Sequence, residues 1–142
     1  MKDTISKAPM WYWMIGLAAL VLMLPAAAQS GIPKVSITDV PHAGKGGESA
    51  MERIAGKVTH LNDKDCRIVL YALAGGKWWV QPYADSPYTD IEANGSWHSQ
   101  THLGSDYAAL LVNSSFQAPP TVPDIRKLTT GVIAMAKIEG KR

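Results

Sequence analysis

Short β-forming runs separated by glycine, asparagine and proline place the strongest limit on how this chain can fold. The clearest run is residues 66–73, followed by a turn with Gly75 and Gly76 and by a second run at residues 78–81. Consecutive glycines supply the positive backbone angles that a tight hairpin needs. Pro82 ends the returning run because proline has no N–H to donate to a ladder. The sequence therefore predicts a β-hairpin over residues 66–81.

The same pattern extends over most of the chain after residue 34. Residues 116–123 hold three prolines and predict a stiff, irregular connection. Only residues 49–54 allow a short helical turn. About seven short strands with turn signals between them are typical of a β-sandwich. The predicted strands are residues 35–40, 54–61, 66–73, 78–81, 90–97 (around an Asn-Gly turn), 108–112 and 131–138.

The aromatic residues divide into two predicted groups. Adjacent residues of a strand face opposite sides, so Trp78 and Trp79 must diverge, one into the core and one to the surface. Trp97 and Tyr107 are assigned to structure. Tyr107 enters a strand after Leu103 and Gly104, a pattern that resembles the tyrosine corner of Greek-key sandwiches.

The first 28 residues are typical of an export segment. Lys2 and Lys7 precede an apolar run at residues 11–24, a helix breaker at Pro25, and three alanines. We expect signal peptidase to cleave between Ala28 and Gln29, which leaves residues 29–34 as a spacer and 35–142 as the domain. The alternative is an uncleaved apolar helix at residues 11–28 that anchors the chain in the inner membrane. Both interpretations predict an extracytoplasmic domain, periplasmic or secreted.

Composition limits the partners and the redox chemistry. The chain has 142 residues, which fits one modest domain. Its formal net charge of +2 gives no sign of the basic stripe that binds a phosphate backbone. Nucleic acid is therefore not an expected partner. Its single cysteine, Cys66, cannot form an internal disulfide and is interpreted as a small buried hydrophobe. Intermolecular pairing or a reactive thiol remain the alternatives.

Metal, phosphate and cofactor sites are not predicted. His98 and His102 have the spacing of a helical metal pair, but the surrounding pattern is strand and loop. Residues 62–65 lack the glycine and glutamate of a calcium loop. Residues 44–47 lack the spacing and the following helix of a phosphate loop.

A catalytic site is not predicted either. The chain has no Gly-x-Ser-x-Gly elbow, and no histidine is placed by the sequence beside Cys66. The carboxylates of Asp85, Asp90, Glu92 and Asp106 lie beside turns, where acids ordinarily serve solubility and turn formation. We expect a protein that is not an enzyme.

A second aromatic group is the candidate ligand-binding surface. Trp79, Tyr83 and Tyr88 fall close together in the sequence, and Pro82 and Pro87 stiffen the segment that carries them. Exposed aromatic rings offer a large apolar face with a polar edge. A stiff segment loses less conformational entropy on binding. These three residues are therefore predicted to contact a ligand such as a glycan.

Several of these runs also resemble one bacterial extracytoplasmic module. They are residues 68–72, 78–84, 101–104 and 107–112, preceded by Val40-Pro41 and residues 44–47. That module occurs alone behind export signals, or fused to sensor proteins and to carbohydrate-active enzymes. The resemblance covers residues 35–138. It implies an immunoglobulin-like Greek-key or carbohydrate-binding-like β-sandwich of about seven strands, used in recognition or sensing and without established catalytic residues.

The expected function is an exported, non-catalytic binding module that recognises a carbohydrate or other envelope component. The alternative is a structural, protein-interaction or sensory accessory domain whose partner is an envelope protein. Contact with the membrane is expected only through residues 11–28, if these are not cleaved.

Overall fold

The described part of the chain is built almost entirely of β-strands. The computed structural model describes residues 31–47 and 49–142. The predicted export segment, its apolar helix and the start of the spacer lie outside these residues. Within them, no helix is long and apolar enough to cross a membrane.

The nine strands of the described residues divide by length. Seven have five or more residues, in agreement with the predicted number, and two have only two residues. A short 3₁₀ helix, Ile125–Lys127, precedes the last strand. In chain order the strands are β1 Lys34–Asp39, β2 Met51–Thr59, β3 Arg67–Ala74, β4 Lys77–Gln81, β5 Tyr88–Thr89, β6 Ser96–His102, β7 Asp106–Val112, β8 Thr121–Val122 and β9 Val132–Glu139.

The strands form two antiparallel sheets. The smaller has the order β1-β2-β6, and the larger has the order β8-β4-β3-β7-β9, with β5 also paired to β3. The predicted hairpin is present as β3 and β4, joined at Gly75 and Gly76, which have φ values of 61° and 77°. The all-β prediction is therefore confirmed.

One core lies between the two sheets. Ile54 and Val58 of β2 and Trp97 of β6 meet Ile68 and Leu70 of β3 there, and all five are buried. Ile54, Gly56 and Val58 of β2 are buried and Lys57 and Thr59 are exposed, as expected for a strand with one face toward the core, although Ala55 is buried as well. Cys66 belongs to this core, so its interpretation as a small buried hydrophobe is confirmed.

A second core covers the outer face of the larger sheet. Val69 and Tyr71 of β3 face outward and pack under the proline-rich connection, which contributes Phe116 and Ile125. The Tyr71 hydroxyl donates to the Pro119 carbonyl at 2.9 Å. The connection is therefore a third layer. Because of it, β3 and β7 are buried on both faces, which explains their continuous apolar runs in an antiparallel sheet.

Gly56 makes room for a large core side chain. A Cβ atom at Gly56 would collide with the Trp97 indole and with the Ser36 carbonyl. Trp97 is only 1% exposed, which confirms its predicted structural role. The register shift of this sheet lies in β1, between Ile37 and Asp39, opposite Gly56.

Two strand boundaries were predicted incorrectly. Residues 51–54 extend β2 instead of forming a helical turn, because they pair with residues 99–102 of β6. β6 itself continues from Trp97 to His102, although its sequence is mostly polar. Only Trp97 and Thr101 of β6 are buried, so the apolar alternation was too sparse to reveal the strand.

The structural role predicted for Tyr107 is confirmed. Its buried hydroxyl accepts a hydrogen bond from the Gly104 N–H at 3.1 Å and donates one to the His42 carbonyl at 2.6 Å. Burial raises the pKa of the Tyr107 phenol, which keeps the hydroxyl available as a donor. The two bonds join the β6–β7 corner to the loop between β1 and β2.

We predict that Tyr107→Phe lowers the free energy of unfolding by about 1–3 kcal/mol, because the buried Gly104 N–H and the His42 carbonyl lose their partner. Urea denaturation measures the change. Tyr83→Phe is the matched control, since that hydroxyl is exposed, and it should change stability by less than about 0.5 kcal/mol. Equal effects of the two substitutions would contradict the structural role of the corner.

Candidate functional site

A cleft of about 590 Å³ lies beside the β3–β4 hairpin. Its walls come from the β1–β2 loop, the hairpin, the segment after β4 and the end of β6. This volume falls within the range of small-molecule sites. The described residues that line it are Lys45, Gly46, Gly47, Ala72, Ala74, Gly75, Trp79, Val80, Gln81, Pro82, Tyr83, Ala84, His102, Leu103 and Pro120.

Trp79 supplies one aromatic wall of the cleft. It pairs with Ala72, a core residue, so its side chain lies on the face that the larger sheet turns toward the smaller one. The smaller sheet ends at β6, and Trp79 is 46% exposed beyond it, whereas Trp78 is buried on the opposite face. The predicted divergence of the two tryptophans is thereby confirmed. The Trp79 indole N–H donates to the Ala74 carbonyl at 3.0 Å, which fixes the ring.

Tyr83 supplies the second aromatic wall. It is 52% exposed, and its ring meets the edge of the His102 ring at 5.7 Å between centroids and an interplanar angle of 77°. Its hydroxyl lies 3.6 Å from the Met51 sulfur, a weak acceptor. The phenol therefore keeps most of its hydrogen-bonding capacity for a ligand.

Gln81 and His102 form a polar link beneath these rings. The Gln81 side-chain oxygen accepts from the His102 backbone N–H at 2.9 Å and lies 2.8 Å from Nδ1 of the same residue. The Gln81 amide donates to the Trp79 carbonyl at 3.2 Å, and Gln81 is 4% exposed. Since a carbonyl oxygen only accepts, Nδ1 carries the hydrogen. In the neutral ring Nε2 is then an acceptor.

Tyr88 does not share this cleft. It pairs with Val69, which faces the outer core, so the larger sheet separates Tyr88 from Trp79. Its hydroxyl donates to the Phe116 carbonyl at 3.2 Å, and the Arg67 guanidinium lies 3.8 Å from its ring centroid. The structure thus brings together two of the three predicted ligand-binding residues. Tyr88 instead supports the proline-rich layer.

Two residues of the cleft, Gln81 and His102, were not predicted from the sequence to belong to a binding site. His102 was considered only as a metal ligand, and Gln81 was regarded as an ordinary strand residue. Neither carries a local signal, because their contact joins residues 21 positions apart. The approach of the glycine loop, residues 44–47, to the hairpin was also not predicted, because it depends on the tertiary fold.

A second cleft of about 580 Å³ includes Cys66, Asp63 and Glu92 among its lining residues. Burial, with smaller contributions from Asp63 and Asp65, raises the pKa of the Cys66 thiol and so disfavours the reactive thiolate. The Asp63 carboxylate accepts from the Asp65 N–H at 2.9 Å, which is ordinary turn chemistry. This cleft lacks exposed aromatic walls among its described lining residues.

His98 and His102, which have the spacing of a helical metal pair, contact different partners in the structure. On a strand, residues four positions apart are separated by about 13 Å. His98 lies 3.6 Å from the Glu92 carboxylate, while His102 contacts Gln81. Among residues 31–47 and 49–142, no group of three or more His, Cys, Asp or Glu side chains is placed to hold a metal ion.

We predict that Gln81→Leu destabilises the fold by about 1–3 kcal/mol, because the N–H groups of His102 lose their acceptor. It should also change the tryptophan emission, since Gln81 holds the Trp79 backbone. Denaturation followed by fluorescence measures both effects. Gln100→Leu, at an exposed position of β6, is the control and should stay within about 0.5 kcal/mol of the parent. A parent-like Gln81→Leu protein would contradict the polar link.

Comparison of the chain with protein-family models, curated proteins and solved structures gives no match. The resemblance to an extracytoplasmic module therefore stays a prediction.

Proposed function

We propose that the chain is a non-catalytic binding module that takes a sugar ring in the cleft between Trp79 and Tyr83. The observation that carries the proposal is the exposure of these two large aromatic side chains, 46% and 52%, on one concave surface. A small domain ordinarily buries such residues in its core, as this chain does with Trp78 and Trp97. Exposed aromatic residues around a cleft are typical of ligand recognition.

Preorganisation of the Trp79 ring supports stacking as the binding mode. Its indole N–H already bonds to Ala74, so the ligand meets the face of the ring and not its polar edge. The C–H face of a pyranose ring is apolar and fits such a surface. Because the ring is fixed before binding, less side-chain entropy is lost on association.

Polar groups at the cleft support recognition of hydroxyl groups. The Tyr83 hydroxyl has only a thioether as protein partner, and the His102 ring, held at Nδ1 by Gln81, lines the same cleft with its second nitrogen unpaired by the described residues. A few polar groups among apolar walls are typical of small-ligand sites, where they select orientation. A sugar presents hydroxyl groups around an apolar face and satisfies both requirements.

The same proposal includes that the module does not hydrolyse the sugar it binds. Glycoside cleavage ordinarily needs two carboxylates on either side of the bond. None of Asp85, Asp90, Glu92 and Asp106 is among the described lining residues of the cleft. Glu92 lines the second cleft and lies beside His98. These placements favour binding over hydrolysis.

We also propose that the sandwich is immunoglobulin-like with Greek-key connections. Support comes from the strand order β1-β2-β6 in one sheet and β4-β3-β7-β9 in the other. This is the order of strands A-B-E and C′-C-F-G in that fold. Tyr107, at the start of β7, occupies the place of the tyrosine corner. The disulfide of antibody domains has no counterpart, since Cys66 is the single cysteine.

A protein-interaction role is the second candidate function. β9 is an eight-residue strand whose hydrogen-bonded neighbour in the described sheets is β7 alone, and Ile133 on it is 39% exposed. An unpaired strand edge can receive a strand from another protein. An envelope or sensor protein would be the partner in that case.

We predict that Trp79→Ala and Tyr83→Ala each weaken glycan binding by about tenfold, equivalent to about 1.4 kcal/mol. Glycan-array screening followed by titration of tryptophan fluorescence measures the affinity. Ile133→Ala, which removes an exposed apolar side chain outside the cleft, should bind as the parent does. Glycan binding that survives both aromatic substitutions, or no glycan binding, would overturn the proposal. Loss of a protein partner in Ile133→Ala would favour the second candidate.

We further propose that residues 1–28 direct export and are cleaved after Ala28, on the support of the sequence pattern alone. The expected product in a Gram-negative host is a periplasmic protein with Gln29 at its N-terminus, identified by fractionation and intact mass. A full-length product in the inner-membrane fraction would establish the anchored alternative. A full-length cytoplasmic product would contradict both.

A further inference from the structure

The glycine loop after β1 gives the proposed sugar site a second, polar half. Lys45, Gly46 and Gly47 line the same cleft as Trp79 and Tyr83. Among the described lining residues, Lys45 is the one with a permanent formal charge, and that charge is positive. The sign of this charge determines which sugars the cleft favours.

The loop backbone presents donors as well as a charge. Gly46 and Gly47 have φ values of 86° and 121°, in the region that favours glycine. A Cβ atom at Gly47 would meet no neighbour within 4 Å, so its backbone is open to an approaching ligand. Within the described part of the chain, neither N–H donates to a backbone acceptor outside the strands. Backbone N–H groups without a protein partner can donate to the oxygens of an anionic ligand.

Ala74 shows that the loop and the aromatic wall lie next to each other. A Cβ atom at Gly46 would lie 3.0 Å from the Ala74 Cβ atom. The Trp79 indole nitrogen lies 3.0 Å from the Ala74 carbonyl oxygen. Both features thus contact one residue of the hairpin. A single ring stacked on Trp79 can therefore place a substituent against the loop.

We propose that the ligand of this cleft is an acidic saccharide, in which a carboxylate on the pyranose ring binds Lys45 and the N–H groups of Gly46 and Gly47. The inference rests on the proposed sugar-binding function and deepens it. Trp79 and Tyr83 contact the ring, and the loop selects the charge. A neutral sugar keeps the stacking contacts and loses the ionic ones, so it binds more weakly.

The experiment compares two probes that differ in charge alone. Tri-galacturonic acid and its methyl ester share the same rings and linkages, and only the acid carries carboxylates. Affinities of the purified full chain are measured by titration of tryptophan fluorescence. We expect the acid to bind about fivefold more tightly than the ester, the upper range of an exposed ion pair. In about 1 M NaCl, where the Debye length is about 3 Å, the difference should shrink.

Variants of Lys45 assign the difference to the loop. Lys45→Gln should weaken the preference for the acid, because only the N–H groups of Gly46 and Gly47 then hold the carboxylate. Lys45→Arg should retain the preference. Lys57→Gln, an exposed lysine on β2 outside the cleft, is the matched control and should bind both probes as the parent does.

Three outcomes would overturn the inference, and they separate it from the proposal on which it rests. Equal affinity for the two probes rejects the acidic saccharide, and a preference that is undiminished in Lys45→Gln rejects the loop as the place where the carboxylate binds. Both outcomes leave sugar binding intact. A second pair, cellotriose and its counterpart oxidised to uronic acid, repeats the comparison with a different sugar. Failure of all four probes to bind rejects the acidic ligand, and failure of every glycan on the array rejects the proposed function as well.

Discussion

Burial of β3 and β7 on both faces is the constraint on which the rest of the molecule depends. One face packs against the smaller sheet, and the other packs beneath the proline-rich connection. An antiparallel sheet ordinarily leaves one face to water, where functional residues can lie. Here the central strands have no such face. The cleft that holds Trp79 and Tyr83 lies at the edge of these strands, at the β3–β4 hairpin and the loops beside it.

The two sheets also differ in width, and this difference creates the cleft. At β4 the larger sheet extends past β6, so Trp79 occupies a core-facing position that the smaller sheet leaves half exposed. Gln81 lies at the margin, where His102 of β6 still covers it. The side-chain oxygen of Gln81 accepts from His102, and its side-chain nitrogen donates to the Trp79 carbonyl. A buried amide costs free energy unless its partners are present. The Gln81 amide therefore connects the Trp79 backbone to His102, whose ring contacts Tyr83.

Much of the fold could be predicted because it depends on local signals. The run at residues 68–73, the two glycines after it and the period-two placement of Trp78 and Trp79 are each visible without tertiary information. The site was only half predictable. Exposure of Trp79 follows from sheet width, and separation of Tyr88 follows from its pairing with Val69, which brings it to the other face. No local sequence pattern predicts the polar strand β6 or the contact of Gln81 with His102.

The Tyr107 hydroxyl also helps to hold the loop that borders the cleft. Its bond to His42 is one of several that hold the beginning of the β1–β2 loop: Ala43 donates to Lys141, Gly44 donates to Gly104, and Lys141 donates to Pro41. Such bonds must break before the amides of Ala43 and Gly44 exchange with solvent, whereas those of Gly46 and Gly47 are not held in this way. These bonds therefore fix the loop backbone as far as Gly44, two residues before Gly46, which lines the cleft.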